Sequence, residues 1–338
     1  MKIQYINNLR AFACYLVILT HSAMPAISES YGMFMVFFAI IASPSSELFV
    51  MISSSLLAPT KEGMIFFYKK RFSKLLGPFL FWSLIILIIK YFQNKISLNE
   101  LFYDLALFPI KPVTGVYWFV YAICGLYLVI PIISPWLNIC KRKELLFVLA
   151  LWSITLFLPY LNIFLDDSIY NPKGDYYFIL TYFGGFIGYL FLGVYLRKYP
   201  ILYLNKVKAF SSILFILFLG LLPIICGYIF NRNLLILSRE NLSITSAFFV
   251  IAIFTFFQNF KLPHYMEYVL NIIAKHSYGI YLIHIIIIRD IVWRFLENNR
   301  IFHPVIETPL ISIVSLLICL AIVRVLSFLP KSKYIVGV

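Results

Sequence analysis

The amino-acid sequence predicts an all-α fold, a polytopic membrane helix bundle with about ten transmembrane helices and both termini in the cytosol. Hydrophobic residues make up 62% of the 338 positions and charged residues 12%, a composition that excludes an ordinary soluble protein. About ten apolar runs are long enough to cross a hydrocarbon core of ~30 Å. Most basic residues fall in the segments on the side of the termini, which the positive-inside rule assigns to the cytosol. The expected spans are residues 9–27, 33–58, 75–92, 116–137, 145–163, 176–196, 209–230, 242–260, 274–296 and 306–328.

The charge and the cysteines narrow the possible functions. The net charge of +14 is explained by the cytosolic loops, and no soluble basic module is present to bind nucleic acid. The five cysteines are odd in number and lie mostly inside apolar runs, so they predict neither a disulfide framework nor a metal site. The loops are too short to hold a soluble catalytic domain. Residues 1–338 are therefore expected to form a single membrane domain whose chemistry takes place among the spans.

The first span contains two polar residues, Arg10 and His21, on one helical face. They are separated by ~16 Å along the helix axis. Polar groups in a span usually face a cavity or a partner, because exposure to lipid costs ~2.5–3.5 kcal/mol for a charged side chain. A buried structural imidazole and a cytosolic snorkelling arginine are the alternatives for each residue alone.

The second span contains the carboxylate of Glu47, followed by a run of serines that includes Ser53. A carboxylate within a membrane needs a cation, a proton or water. Antiparallel packing predicts that Glu47 lies nearer Arg10 than His21, so a structural Arg10–Glu47 ion pair is one interpretation. The serines also permit close approach of helices.

Basic residues precede the third span in the segment KKRFSK. Arg71 and Lys74 lie three positions apart, on one helical face, where they could hold the phosphates of a cytosolic cofactor. Lys69 and Lys70 are more typical of an anchor for anionic lipid headgroups, although Lys70 also remains a candidate for cofactor binding.

Aromatic and imidazole side chains mark two later spans. The fourth span opens with Tyr117, Trp118 and Tyr121, and the ninth carries Tyr281 and His284. For the three residues of the fourth span, an interfacial aromatic belt is the usual role, and a stacking surface for a sugar is the alternative. The loop before the fourth span contains SLNELFYDLALFP, whose helical periodicity predicts an interfacial helix.

Taken in order, five segments of the chain resemble the acyltransferase 3 family of integral membrane acyltransferases. They are NNLRAFACYLVILTH, SELFVMISS, RFSK, YWFVYAICGLYLVIP and HSYGIYLIH. The closest resemblance is to the short members that O-acetylate bacterial surface polysaccharides, such as the enterobacterial common antigen O-acetyltransferase type. The chain departs from the family pattern at several positions: Asn7 replaces Asp, Ala11 and Ser54 replace Gly, Lys74 replaces the second Arg of the Arg-x-x-Arg motif, and Tyr117 stands where His is common.

The resemblance implies an acyl-CoA-dependent O-acyltransferase of the bacterial inner membrane. Arg10 and His21 match the family's catalytic positions, with His21 expected as general base and Arg10 as holder of the donor. Glu47, at a position where many members carry Asp, is the third catalytic candidate and would orient Arg10 or tune the local protonation. The expected donor is acetyl-CoA or another acyl-CoA, without a metal, and Arg71, Lys74, Lys70 and Ser53 would contact it. The acceptor would be a surface glycan or a lipid-linked glycan, contacted by Tyr117, Trp118, Tyr121, Tyr281 and His284.

Two other functions remain open from the sequence. One is a transporter or flippase for a glycan or lipid-linked sugar, with the buried polar residues lining its path. The other is a scaffold for glycan enzymes, in which Arg10 and His21 have structural roles. Transporters often contain inverted repeats and interrupted spans; no repeat is visible, although Pro44, Pro131 and Pro223 could interrupt helices.

Overall fold

The described part of the chain is helical throughout, as predicted. A computed structural model describes residues 4–23, 32–108, 110–157, 160, 185–202, 205–230, 234, 237–238, 240–296 and 303–337, and no strand occurs among them. The helices are α1 (Gln4–Ala23), α2 (Gly32–Ala42), α3 (Ser45–Leu57), α4 (Met64–Phe92), α5 (Leu98–Leu107), α6 (Trp118–Ile139), α7 (Arg142–Thr155), α8 (Ile187–Lys198), α9 (Lys206–Ile229), α10 (Ile244–Asn259), α11 (His264–Ile286) and α12 (Pro304–Leu326).

Five helical segments of this part are long and apolar enough to cross a membrane. Many of their large apolar side chains are exposed, which is expected of a surface that contacts lipid. The protein is therefore a membrane protein, but these five segments do not by themselves establish the predicted ten spans. Helix α1 lacks the required hydropathy, since it carries Arg10 and several amides, and the predicted spans 145–163 and 176–196 lie partly outside the described residues. The five segments are Phe38–Leu57, Met64–Phe92, Gly115–Ile139, Lys206–Ile229 and Pro304–Leu326.

Three predicted spans have different boundaries in the structure, and the ninth is helical from His264, ten positions before its predicted start at residue 274. The second is divided into α2 and α3 at Ser43 and Pro44, because proline lacks a backbone donor and disfavours helical geometry in the residue before it. The third begins at Met64, eleven positions before the predicted start at residue 75. Its basic first turns remain helical, since backbone hydrogen bonds continue whether side chains are apolar or charged.

Helices α1 and α11 pack side by side and run in the same direction. The side-chain amide of Asn7 donates to Asn271 over 2.7 Å near the start of both helices. Further along, the Cys14 thiol approaches the Ser277 carbonyl, and the rings of His21 and His284 have centroids 5.1 Å apart. This register places the Arg10 and His21 levels of α1 beside two levels of α11 that are also about three turns apart.

Helices α3 and α8 approach each other closely at Gly193. The Ser55 hydroxyl donates to the Gly193 carbonyl over 2.9 Å, and the Arg197 guanidinium donates to the Ser55 carbonyl. A Cβ atom at position 193 would lie 2.6 Å from the Met51 carbonyl oxygen and 2.7 Å from its Cα. The close approach therefore requires glycine on α8 and small serines on α3.

The segment predicted to form an interfacial helix is helical, as α5. The Ser97 hydroxyl accepts from the backbone N–H of Glu100, and the Glu100 carboxylate accepts from the backbone N–H of Ser97 over 2.7 Å. This backbone hydrogen bond lowers the pKa of Glu100 below its ordinary value. Leu98, Phe102 and Tyr103 are exposed, as expected of a helix lying at a membrane surface.

The C-terminal segment folds back onto α4. The indole N–H of Trp82 donates to the Ile335 carbonyl over 2.8 Å. Tyr334 packs against Gly77, where a Cβ atom would lie 3.0 Å from its ring, and Gly337 adopts a positive φ of 77°. This contact brings the end of the chain beside the first half of α4.

Replacing Gly193 by alanine is expected to reduce stability by about 1–3 kcal/mol, because the new methyl group must displace the α3 backbone. Thermal unfolding of the detergent-purified protein measures the effect. Gly125→Ala is the matched control, since a Cβ atom on this helical glycine meets nothing within 4 Å. Equal melting temperatures for the two variants would contradict a tight α3–α8 contact.

Candidate active site

Two cavities lie along helix α1, one at the level of Arg10 and one at the level of His21. Their volumes are about 300 and 290 Å³. Arg10 and His21 lie ~16 Å apart along the axis of α1, so the helix presents one of them to each cavity. The side chains predicted to face the protein interior thus do so, but in separate chambers.

The first chamber, the basic cavity, collects four cationic side chains from three helices. Arg10 comes from α1, Arg71 and Lys74 from α4, and Lys275 from α11. No aspartate or glutamate is among its lining residues in the described part of the chain. The remaining lining residues are Phe49, Ser53, Leu75, Phe119, Val120, Ile123, Tyr127, Ala274, Ser277, Tyr278, Tyr281 and Gly337.

Aromatic rings lie beside the two arginines of this cavity. The Arg71 guanidinium lies 5.6 Å from the centre of the Phe67 ring, and its Nε atom is buried without a hydrogen-bond partner in the described residues. Tyr127 lies close to both Arg10 and Arg71. None of the four ion pairs formed within the described residues involves a cation that lines the cavity. The cavity therefore presents N–H groups that could donate hydrogen bonds to an anionic ligand.

The second chamber, the histidine cavity, has a different chemical character. His21 shares it with hydroxyl groups from Thr20, Ser43, Ser45 and Ser46, and lysine and arginine are absent from its described lining. Trp118 and Phe119 supply aromatic surface, and Glu240 and Asn241 supply a carboxylate and an amide. Val17, Ala39, Phe49, Val116 and Tyr281 complete the lining.

Comparison with known families identifies the chain. A model of an acyltransferase domain matches residues 3–324. The chain belongs to the acyltransferase 3 family. The match includes every helix that lines the two cavities, whereas Gly337 of the basic cavity lies beyond it. No curated protein and no solved structure gives a significant match.

Of the four predicted donor-binding residues of this acyltransferase, three line the basic cavity and one does not. Arg71, Lys74 and Ser53 line the basic cavity. Lys70 does not; its ammonium group forms an ion pair with Glu62, because a one-residue step on α4 turns it away from Arg71. Lys275 also lines the basic cavity but was not predicted from the sequence. It directly precedes the motif HSYGIYLIH, whose residues Ser277 and Tyr278 line the same cavity.

Glu47 lies near the histidine cavity rather than beside Arg10. It is fully buried, and its carboxylate accepts from the Ser46 hydroxyl over 2.9 Å. Its other oxygen has no hydrogen-bond partner, and no ion pair with Arg10 is formed within the described residues. The predicted proximity to Arg10 was wrong because α3 begins only at Ser45, so Glu47 occupies its first turn at the His21 level.

Of the five predicted acceptor-binding residues, two line the histidine cavity and three do not. Trp118 and Tyr281 line the histidine cavity. Tyr117 is fully buried and donates to the Leu282 carbonyl over 2.7 Å, and the Tyr121 hydroxyl donates to the Phe108 carbonyl. These two hydrogen bonds connect the start of α6 to α11 and to the end of α5. Both tyrosines therefore stabilise the packing of the helices.

His284 stands behind His21 and not on the cavity surface. It is fully buried, and its Nδ1 atom is bonded to the Tyr281 carbonyl. A carbonyl accepts only, so Nδ1 carries the proton and Nε2 is left as an acceptor. Nε2 has no partner within the described residues. Glu240 and Asn241, by contrast, were missed, because the segment before α10 offers no motif.

The neutral variant Glu47→Gln is expected to keep nearly the full stability of the protein, since an amide oxygen can still accept from Ser46. Glu47→Ala should cost about 1–3 kcal/mol by leaving that buried hydroxyl without a partner. Thermal unfolding in detergent compares the two variants. A loss of ~3–5 kcal/mol in Glu47→Gln would instead reveal a buried cation paired with this carboxylate.

Proposed function

We propose that the protein transfers an acyl group, most simply acetyl, from cytosolic acyl-CoA to a hydroxyl of a cell-surface polysaccharide or its lipid-linked precursor. The observation that carries the proposal is the pairing of a four-cation chamber with an imidazole chamber along a single helix, α1. Family membership supports acyl transfer, and the two chambers supply a place for each substrate.

The basic cavity suits the phosphate-bearing end of the donor. Guanidinium groups bind phosphate oxygens through two parallel donors, and Arg10 and Arg71 both face this space. Lys74 and Lys275 add charge at the exposed mouth. Because the cavity walls between these cations are apolar, each charge acts in a medium that screens it less than water does.

The histidine cavity suits an uncharged polyol. Its serine, threonine and asparagine side chains offer hydroxyl and amide groups, and Trp118 offers a ring face for an apolar sugar surface. A ligand bearing several negative charges would meet the carboxylate of Glu240 and no lysine or arginine among the described lining residues. Acceptor hydroxyls and donor phosphates are thereby directed to different chambers.

The proposed chemistry needs one base. His21 accepts the proton of the acceptor hydroxyl as its oxygen attacks the thioester carbonyl. The carbon–sulfur bond breaks, an oxygen ester forms, and the proton passes from His21 to the departing thiolate. General base catalysis of this kind contributes ~10²–10⁴ in rate. Arg10 holds the donor, and Glu47 acts indirectly through Ser46, which lines the His21 chamber.

The helix directions agree with an even number of membrane crossings, and we propose ten, with both ends in the cytosol. Helix α1 runs from the basic to the histidine cavity, and α3 runs back, with Ser46 at the second and Ser53 at the first. Gly337, near the other end of the chain, also lines the basic cavity. The proposal therefore includes a multi-pass domain of residues 1–338 in a bacterial inner membrane, with the basic cavity open to the cytosol, where the donor is made, and α5 against the lipids.

We propose acceptors of the enterobacterial common antigen type, and the hydroxyl-lined histidine cavity also suits neutral glycans. The transport alternative differs in one observable: glycan would cross the membrane without gaining an acyl group. Mass spectrometry of surface glycans from strains with and without the gene separates the two functions. A glycan that changes in amount but never in acyl content would contradict acyl transfer.

Replacing His21 by alanine is expected to reduce acyl transfer by about 10²–10⁴ through loss of the base. Label from radioactive acetyl-CoA is counted in the glycan of membranes that contain equal amounts of each protein. His264→Ala is the control, because His264 is exposed at the start of α11 and lines neither cavity. A loss much smaller than about 100-fold would remove His21 from the role of base.

Replacing Lys275 by glutamine is expected to raise the KM for acyl-CoA about fivefold and to leave kcat nearly unchanged. A partly exposed charge contact is worth ~1 kcal/mol, and it acts equally on bound donor and transition state. Lys69→Gln is the matched control, since Lys69 is exposed on α4 outside the cavity. An unchanged KM in Lys275→Gln would place the donor phosphates elsewhere.

A further inference from the structure

A layer of three aromatic residues separates the two cavities. Phe49 of α3, Phe119 of α6 and Tyr281 of α11 line both the basic cavity and the histidine cavity. The ring centroids of Phe49 and Phe119 are 6.1 Å apart, and those of Phe119 and Tyr281 are 6.0 Å apart. Because each ring touches the next, the aromatic layer is continuous from α3 to α11.

A charged group cannot readily pass through this aromatic layer. The four cations lie on one side, and His21 lies on the other. Moving an ionised phosphate between apolar rings would strip its water without replacing it. A donor held by its phosphates can therefore send only its uncharged end across the layer to reach the imidazole.

The three rings differ in how firmly they are held. The Tyr281 hydroxyl donates to the Val116 carbonyl, and its ring packs against His284 with centroids 5.6 Å apart. Phe49 and Phe119 are half-buried, and a phenyl ring has no hydrogen bond to hold it. Rotamer changes of such side chains are fast compared with enzyme turnover. Tyr281 is thus the fixed edge of the layer, and the two phenylalanines form its movable part.

We infer that Phe49 and Phe119 set the length of the acyl group that this protein transfers, by limiting what can pass from the basic cavity to His21. The inference rests on the proposed function and adds a specificity to it. The acyl group leads the donor arm between the displaced phenyl rings, so each methylene group beyond acetyl must pass between them before the thioester carbonyl can reach His21. Discrimination by a single methylene in an apolar site is typically ~10–200-fold.

The test measures acyl preference rather than total activity. Native membrane vesicles carrying their own glycan receive radiolabelled acetyl-CoA, butyryl-CoA or hexanoyl-CoA, and label in the glycan is counted. Wild-type protein should transfer acetyl at least about tenfold better than butyryl. Phe119→Ala and Phe49→Ala should each raise the ratio of butyryl to acetyl transfer by about tenfold or more. Phe119→Leu, a smaller change, should raise it less.

Phe256→Ala is the control, because Phe256 is also half-buried but lines neither cavity; its ratio should equal that of wild type. If acetyl transfer persists and the ratio stays constant in both the alanine and leucine variants, the size filter is wrong while acyl transfer stands. If wild-type membranes transfer no acyl group at all, the proposed function itself is wrong. Loss of all transfer in both alanine variants, with normal ratios in Phe119→Leu, also overturns the filter.

Discussion

The parallel contact between α1 and α11 determines where every functional group of this protein lies. Asn7 bonds to Asn271 at one end, and the rings of His21 and His284 meet at the other. Two parallel helices keep the same rise per residue, so each level of α1 faces a fixed level of α11. Arg10 consequently shares a chamber with Lys275, and His21 stands one layer further, beyond Tyr281.

Because the second predicted span is interrupted at Pro44, α3 extends from the His21 level to the Arg10 level of α1. By starting at Ser45, the helix places Ser46 beside the His21 chamber and Ser53 beside the Arg10 chamber, with Phe49 between them. A single helix thus contributes to both cavities and to the layer dividing them. Its opposite side is held against α8 through Gly193, which needs small side chains on α3 and explains part of the serine run.

Much of the fold was predictable from the sequence, because apolar runs and helical periodicity depend on local residues. The positions of Arg10 and His21 on one helical face follow from spacing alone, as does the helix in the segment SLNELFYDLALFP. The surroundings of Glu47 were not predictable in this way, since they depend on where the chain bends at Pro44. Lys275 and Glu240 reach the cavities through contacts between helices distant in sequence, and no local pattern in a single sequence records those contacts.

The departure at Asn7 from the family's usual Asp has a physical consequence for the basic cavity. Asn7, Asn271, Gln4 and Asn8 form a chain of neutral amide hydrogen bonds, with donor–acceptor distances of 2.7, 3.2 and 3.1 Å. An aspartate at position 7 would stand three residues before Arg10, close enough on a helix to offset its charge. With asparagine there, the helix contacts are kept without a carboxylate, and none of the ion pairs among the described residues neutralises Arg10. The guanidinium of Arg10 therefore faces the basic cavity without a neighbouring carboxylate in the described part of the chain, where it could bind the phosphates of a donor.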